Sequence, residues 1–452
     1  MEQFTEQIRR ISIKLREAGK ADRKFKVFGA DKHKYKLYKP LKPIQVAEFE
    51  AQYEITLPES FKAFLLYIGN GGPSYMESAA GPFYGIYPLG NNVDELTGTP
   101  KQHLKLPVAI FPGMNGDDWK ALTKDIDECA DDISDEDFET LLGHVYGGIL
   151  PLGSQGCSYL HALLLNGPHA GKVVNVDIDR QKPVFTYEAN FLDWYERWLD
   201  EVISGDLRQD SASWFGYSMG GTAGSLVEKF YHFTNPDEKE ACLDGLVRKH
   251  QLEPAVLQIV EKECREGEER YRKLWLQILT KADYARAKPY LAAYADTDLL
   301  AVFSFVYWYA KKHGADWYQT IVQHIHRIND AETFRFCTYL LREMRAGYGE
   351  LIAPFTQHPV ADIRVTAFYT LGQLPQKIQY LDLFIAGLND EATKVVRTTL
   401  QALDGVNSKG LLLPYKSLLE RFPVEQDYIL SNLHQQLRKM NITAAELRKM
   451  EG

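Results

Sequence analysis

From Pro236 to its end the chain carries apolar residues that return at a fixed interval, and this constrains the fold more than any other feature. Asp298, Asp330, Asp362 and Lys394 stand in register, 32 residues apart. One position on come Leu299, Ala331, Ile363 and Val395; six on, Ser304, Phe336, Phe368 and Leu400; nine on, Tyr307, Tyr339, Leu371 and Leu403. Each such stretch is followed by a second helical one, for example "ADWYQTIVQHIHRI" and "KIQYLDLFIAGL". A helical pair of this length cannot bury its apolar face alone, so pairs stack on one another. We therefore expect an all-α helical-repeat domain over 236–452, an α-solenoid. "HPVADIRVTAFYTLGQL" and "DEATKVVRTTLQAL" resemble HEAT-type repeats, each with an apolar–Arg pair (Ile363-Arg364, Val396-Arg397) in the repeated helix.

The first half follows a different pattern. Residues 2–18 place Phe4, Ile8, Ile11 and Leu15 on one helical face. "FKVFGADKHKYKLYKPL" alternates in strand fashion. Residues from Pro43 to Gly72 read as helix, turn, helix. Short strands are expected at "GPFYGIYPL", "LPVAIFP", "GHVYGGILPLG", "SYLHALLL" and "GKVVNVDID", most of them separated by Gly, Pro or Asn. "EANFLDWYERWLDEVISG" closes the region as an amphipathic helix. Residues 209–235 are rich in Gly and Ser and read as a connector. The expected organisation is a basic extension over 1–42 packed on the first domain, an α+β domain over 43–208, a linker over 209–235, and the helical repeats.

A chain of 452 residues exceeds one ordinary core. No run of 18 apolar residues is present, and the charged first residues lack the apolar core of a secretory signal; a cytoplasmic protein off the membrane is expected. Five scattered cysteines, with no C-x-x-C pair, argue against a disulfide framework or a zinc site, and buried thiols are expected. The net charge of −9 disfavours nucleic acid as the main partner. That total hides an asymmetry. Residues 1–42 carry 13 Lys/Arg against 5 Asp/Glu, whereas residues 117–139 carry 11 Asp/Glu against 2 Lys. The acidic stretch would steer a basic protein, and Asp117, Asp118, Asp131, Asp132, Asp135, Glu136 and Asp137 are the expected contact residues.

Catalytic patterns are weak. Gly69–Pro73 follows a helix and has no adjacent Lys, unlike a phosphate-binding P-loop, and reads as a helix stop. Gly216-Tyr217-Ser218-Met219-Gly220 matches G-x-S-x-G, but no buried strand precedes it and no alternating strands follow to carry an acid and a His. Asp177 and Asp179 share a strand face yet lead into the turn "RQKP". His324 and His326 would lie on different helical faces. No catalytic residue, cofactor or metal site is assigned.

Several of these stretches resemble the SUKH superfamily, the immunity and cell-wall-regulator proteins named for their Smi and Knr founders. The resemblance rests on Phe49-Glu50, Leu57-Pro58, Phe61, Phe64 and Asn70-Gly71-Gly72, then on Gly156, Tyr159-Leu160, Gly167-Pro168 and Gly171, and on "NFLDWYERWLDEVISG". It covers about residues 25–208, and "KVFGADKHKYKL" fits longer bacterial members. It implies an α+β domain with a mixed or antiparallel sheet and flanking helices. It also implies a non-catalytic binding role, most often as antitoxin to a secreted toxin such as a basic nuclease domain. The helical repeats depart from a stand-alone immunity domain and suggest a scaffold or adaptor as the alternative.

Overall fold

The computed structural model describes residues 2–129, 133–208, 215–344 and 347–449. The chain divides into two compact units, Met1–Val256 and Leu257–Gly452. In the first, helices α1 (Thr5–Ala21), α2 (Ala30–His33), α3 (Pro43–Tyr53), α4 (Glu59–Tyr67), α5 (Pro100–His103), α6 (Gly116–Cys129) and α7 (Asp135–Tyr146) precede the sheet. Strands β1 (Ile149–Gly156), β2 (Tyr159–Leu164), β3 (Val173–Asp177) and β4 (Val184–Phe185) form an antiparallel meander in that order. α8 (Phe191–Ser204), α9 (Ala223–His232) and α10 (Pro236–Val247) complete the unit. The units divide within α11 (Pro254–Glu266), and α9 and α10 fall in the first.

The strands alternate between two cores, as period-2 side-chain geometry requires. Ile149, Leu160, Ala162, Leu164, Val174 and Val176 face one cluster, completed by Trp119, Val145 and Tyr146 from α6 and α7. Leu150, Leu152, Leu163 and Val173 face the other, which holds Phe61, Phe64, Phe191, Tyr195 and Trp198. Aromatic edges hold that second cluster together. The Phe64 ring lies 5.1 Å from Phe191 and 4.9 Å from Tyr195, both T-shaped. The Tyr195 hydroxyl donates to the Ala80 carbonyl at 2.7 Å.

Four strands form where five segments and an N-terminal strand pattern were expected. Residues 81–90 run beside β1, with only Tyr84 N–H donating to Ser154 O (3.3 Å) and Tyr87 N–H to Leu152 O (2.7 Å). Pro82 and Pro88 lack donors, so no ladder extends there. Residues 106–112 form no strand, and 143–146 end α7 rather than beginning β1. Residues 25–37 contain α2 and turns instead of a strand.

The Gly cluster after α4 is a site of close backbone approach. Tyr38 N–H donates to Gly71 O at 2.8 Å, Gly72 N–H to Glu77 O at 2.7 Å, and Leu89 N–H to the Asn70 side chain at 2.8 Å. A Cβ at Gly69 would lie 2.7 Å from Tyr38 O, and one at Gly72 2.8 Å from Lys36 O. Gly71 has φ +69°. The cluster is therefore a helix stop over which residues 36–38 pass.

α1 packs on α8 through charge. Glu196 accepts from Arg10 Nε (2.9 Å), Lys14 Nζ (2.9 Å) and Gln7 Nε2 (3.1 Å). Burial opposes ionisation of Glu196, but these donors outweigh it and hold the carboxyl below its usual range.

The stretch expected as a connector is partly core. Phe215 belongs to the aromatic cluster, Met219 is buried, and the Arg197 guanidinium donates to Ser218 O at 2.8 Å. Residues 209–214 lie outside the described ones.

The second unit is all helical. α12 (Glu269–Ala282), α14 (Leu299–Ala310), α16 (Ala331–Glu343), α18 (Ala361–Gly372), α20 (Thr393–Ala402) and α22 (Ile429–Lys439) each pack on the next. Between them stand α13 (Tyr284–Tyr294), α15 (Tyr318–His324), α17 (Gly349–Ile352), α19 (Leu381–Leu388) and α21 (Leu412–Arg421), with α23 (Ala444–Lys449) last. Asp298 and Asp330 cap α14 and α16 through the N–H groups of Ala301 and Thr333. Asp362 lies inside α18 and pairs with Lys394 of α20 at 2.6 Å. Buried Arg364 forks onto both oxygens of Asp390 at 2.7 Å. Cys242, Cys264 and Cys337 are buried, and Cys157 is exposed at the β1–β2 turn. Among the described residues no helix is long and apolar enough to cross a membrane.

Two histidines in the first unit are buried as neutral rings. His161 Nε2 lies 3.2 Å from Gly85 O and its Nδ1 has no partner; His33 Nδ1 accepts from Tyr35 N–H at 3.0 Å and its Nε2 has none. Burial pushes both down to about 4. An unfolded His titrates near 6.5, so between these values the unfolded chain binds more protons and stability falls as pH drops. We expect each ring to remove about 2 kcal/mol from the first unit between pH 7 and pH 5. Urea titrations at both pH values should show a smaller loss in His161→Gln than in the parent; an equal loss would refute the assignment.

Candidate protein-binding surfaces

The acidic stretch folds as two helices laid on one face of the sheet. α6 buries Trp119, Thr123 and Ile126, at helical spacing, and α7 buries Val145 and Tyr146. Trp119 Nε1 donates to Arg180 O at 3.0 Å, and the Tyr146 hydroxyl to Asp177 O at 3.0 Å; burial raises the Tyr146 phenol above its ordinary range. With the apolar stripe inward, the carboxylates face solvent.

These carboxylates do two different jobs. Asn115 Oδ1 accepts the N–H groups of Asp117 (2.8 Å) and Asp118 (2.9 Å), while Asp118 Oδ2 accepts Asn115 N–H at 3.0 Å. This reciprocal box closes the start of α6. At α7 the Ser134 hydroxyl accepts Asp137 N–H at 3.2 Å and donates to Asp137 Oδ2 at 2.7 Å. Asp118 and Asp137 are thus held in caps. Asp127 pairs with Arg180 at 3.0 Å, and Glu139 accepts Gly98 N–H at 2.7 Å. Asp117, Asp125, Glu128, Asp135 and Glu136 are exposed, with no side-chain partner among the described residues.

Asp131 and Asp132 lie outside the described residues. The other expected contacts do not form one cluster. α6 is about 20 Å long at 1.5 Å per residue; Asp117 and Asp118 begin it, whereas Asp135, Glu136 and Asp137 follow its far end. Lys120 and Lys124 interrupt the acidic surface between them.

The remaining candidates sit in structural settings. Asp177 Oδ1 accepts Asp179 N–H at 3.1 Å, closing the turn after β3. Ser218 stands on a turn before α9, not between a strand and a helix.

A second surface was not anticipated. On α14 and α16, Tyr307, Trp308, Phe336 and Tyr339 make a cluster that is only partly covered. Tyr307 lies 4.9 Å from Tyr339 and 5.8 Å from Phe336. Trp308 is 66% exposed. The Arg342 guanidinium stands 5.6 Å from the ring of Tyr369, on α18. The sequence signal was present: the register position nine residues after Asp298 holds Tyr307 and Tyr339 in two repeats, but fully buried Leu371 and Leu403 in the next two.

Residues 40–197 match the model of the SMI1 / KNR4 family (SUKH-1), a span within the first unit that runs from just before α3 into α8. No curated protein matches the chain. The helix caps and the surface carboxylates separate in a stability measurement. Asn115→Ala and Ser134→Ala should each destabilise the first unit by about 1 kcal/mol. Asp117→Asn and Glu136→Gln should change it by about 0.5 kcal/mol or less. Equal losses in thermal melts of all four would remove the distinction.

Proposed function

We propose that this chain is a non-catalytic binding protein, a bacterial immunity protein that captures a basic toxin domain, such as a nuclease, and blocks it by occlusion in the cytoplasm. The observation that carries this reading is the set of exposed carboxylates on α6 and α7 that have no side-chain partner among the described residues, on helices whose apolar stripes are fixed to the sheet. A rigid acidic surface speeds capture of a cationic protein and suppresses neutral partners. The SUKH-1 match supports it, since that superfamily includes immunity proteins and Knr-like regulators, and its members commonly act through protein–protein contacts.

A second reading rests on the aromatic surface. The helices α12 to α22 pack successively at roughly the spacing of the sequence repeat, which favours a HEAT-like α-solenoid. Exposed Trp and Tyr beside Arg is the composition of protein-contact hot spots. In this reading the repeats serve as a scaffold in cell-wall or other regulation.

Full-length variants discriminate the two. Where a toxin domain is encoded beside the gene, reversal of Asp117, Asp125, Glu128, Asp135 and Glu136 to Lys should slow association with it by roughly 10–100-fold and remove most of its salt dependence. Protection of growth against that toxin should fall in parallel. Unchanged association and protection would overturn the immunity reading on this surface. Loss of toxin capture in Trp308→Ala, with the Lys variant unaffected, would move the contact from α6 and α7 to the aromatic surface of the repeats.

A further inference from the structure

The basic N-terminal segment is the strongest charge feature that the proposed function leaves unused. Part of it has a structural role. Arg10 and Lys14 anchor α1 to α8 through Glu196, and Lys14 also reaches Asp200. Four of the eleven other basic residues of 1–42 gather where α1 ends. Lys20, Arg23, Lys24 and Lys26 line a recess of about 340 Å³ with Arg208 and His250, over Gly205. Lys20 sits in the last turn of α1, where the helix dipole favours a cation. Arg23, Lys24 and Lys26 lie beyond the helix and have no such explanation.

The acids near this recess are already engaged. Asp22, the only carboxylate in the lining among the described residues, is buried and accepts Lys26 N–H at 2.8 Å, Val27 N–H at 3.1 Å and the Tyr35 hydroxyl at 2.8 Å. Asp206 accepts Lys249 Nζ at 2.9 Å and His250 N–H at 2.7 Å. Among the described residues no carboxylate pairs with Lys20, Arg23, Lys24 or Lys26. Arg208 donates Nη1 to Ala21 O at 2.9 Å, while its buried Nε finds no acceptor.

We infer that this recess binds a small anion carrying several phosphoryl groups. A single carboxylate would neutralise one of five permanent cations, and the cluster would remain in mutual repulsion. A di- or triphosphate matches both the charge density and a volume equal to roughly ten waters. The chain as a whole is at −9, so the recess stands against a repulsive background and holds an anion by local contacts alone. The site is separate from the α6–α7 carboxylates and does not depend on the immunity reading.

The test is calorimetric titration of the full-length protein with sodium tripolyphosphate at 50 and 200 mM NaCl. The expected result is saturable one-to-one binding that weakens with salt. The double variant Arg23→Glu/Lys24→Glu should weaken it on the order of tenfold or more, with unchanged thermal melting. Arg208→Gln should weaken it as well, and Lys36→Glu/Lys39→Glu, which does not line the recess, should leave it intact. ATP should bind with similar affinity, since the phosphate chain is the recognised part. Absence of saturable binding at 50 mM salt overturns the proposal. Equal weakening by the Lys36/Lys39 pair also overturns it, because diffuse charge then accounts for the binding. Tighter, length-dependent binding of duplex DNA would make nucleic acid the occupant and overturn the small-ligand assignment.

Discussion

A four-stranded meander of short strands has two faces and little width, and in this protein both faces are apolar. Neither can be left to water, so helices from distant parts of the chain must cover each one. α4 and α8 supply the aromatic side through Phe61, Phe64, Phe191, Tyr195 and Trp198. α6 and α7 supply the other through Trp119, Val145 and Tyr146. Much of the rest follows from this double covering. α8 must stay docked, and α1 is tied to it through Glu196. The acidic helices cannot rotate, because the sheet owns their apolar stripes, so their carboxylates have one orientation only.

The alternation that sets this up was legible in the chain. "SYLHALLL" and "GKVVNVDID" became β2 and β3, and the amphipathic stretch from Phe191 became α8. The helical register after Pro236 also carried through: Asp298 and Asp330 became caps, and Ile363, Val395, Leu371 and Leu403 became core. What could not be read was pairing. Residues 81–90 have strand-like composition, yet Pro82 and Pro88 lack the N–H donors that a ladder needs. The first strand began at Ile149 because Gly147 and Gly148 end α7, and a short apolar run does not announce on which side of such a break it lies.

The candidate binding surfaces were half legible for a similar reason. Counting carboxylates located α6 and α7 but could not tell a cap from a free surface charge; that distinction lives in Asn115 and Ser134, which are neutral. The aromatic patch on α14 and α16 looked like core because Tyr307 and Tyr339 occupy a core register position. Only the packing of one helix on the next shows that this position turns outward in the earlier repeats and inward in the later ones.

The separation of capping from surface carboxylates has a consequence for how such a protein changes over time. Asn115, Asp118, Ser134 and Asp137 hold helix ends, and substitutions there disturb the scaffold. Asp117, Asp125, Glu128, Asp135 and Glu136 have no side-chain partner among the described residues. A lineage can therefore rewrite the outward chemistry of α6 and α7 residue by residue, while the frame beneath stays the same. Surface charge and architecture occupy neighbouring positions in one stretch of sequence, yet they are free to diverge at different rates.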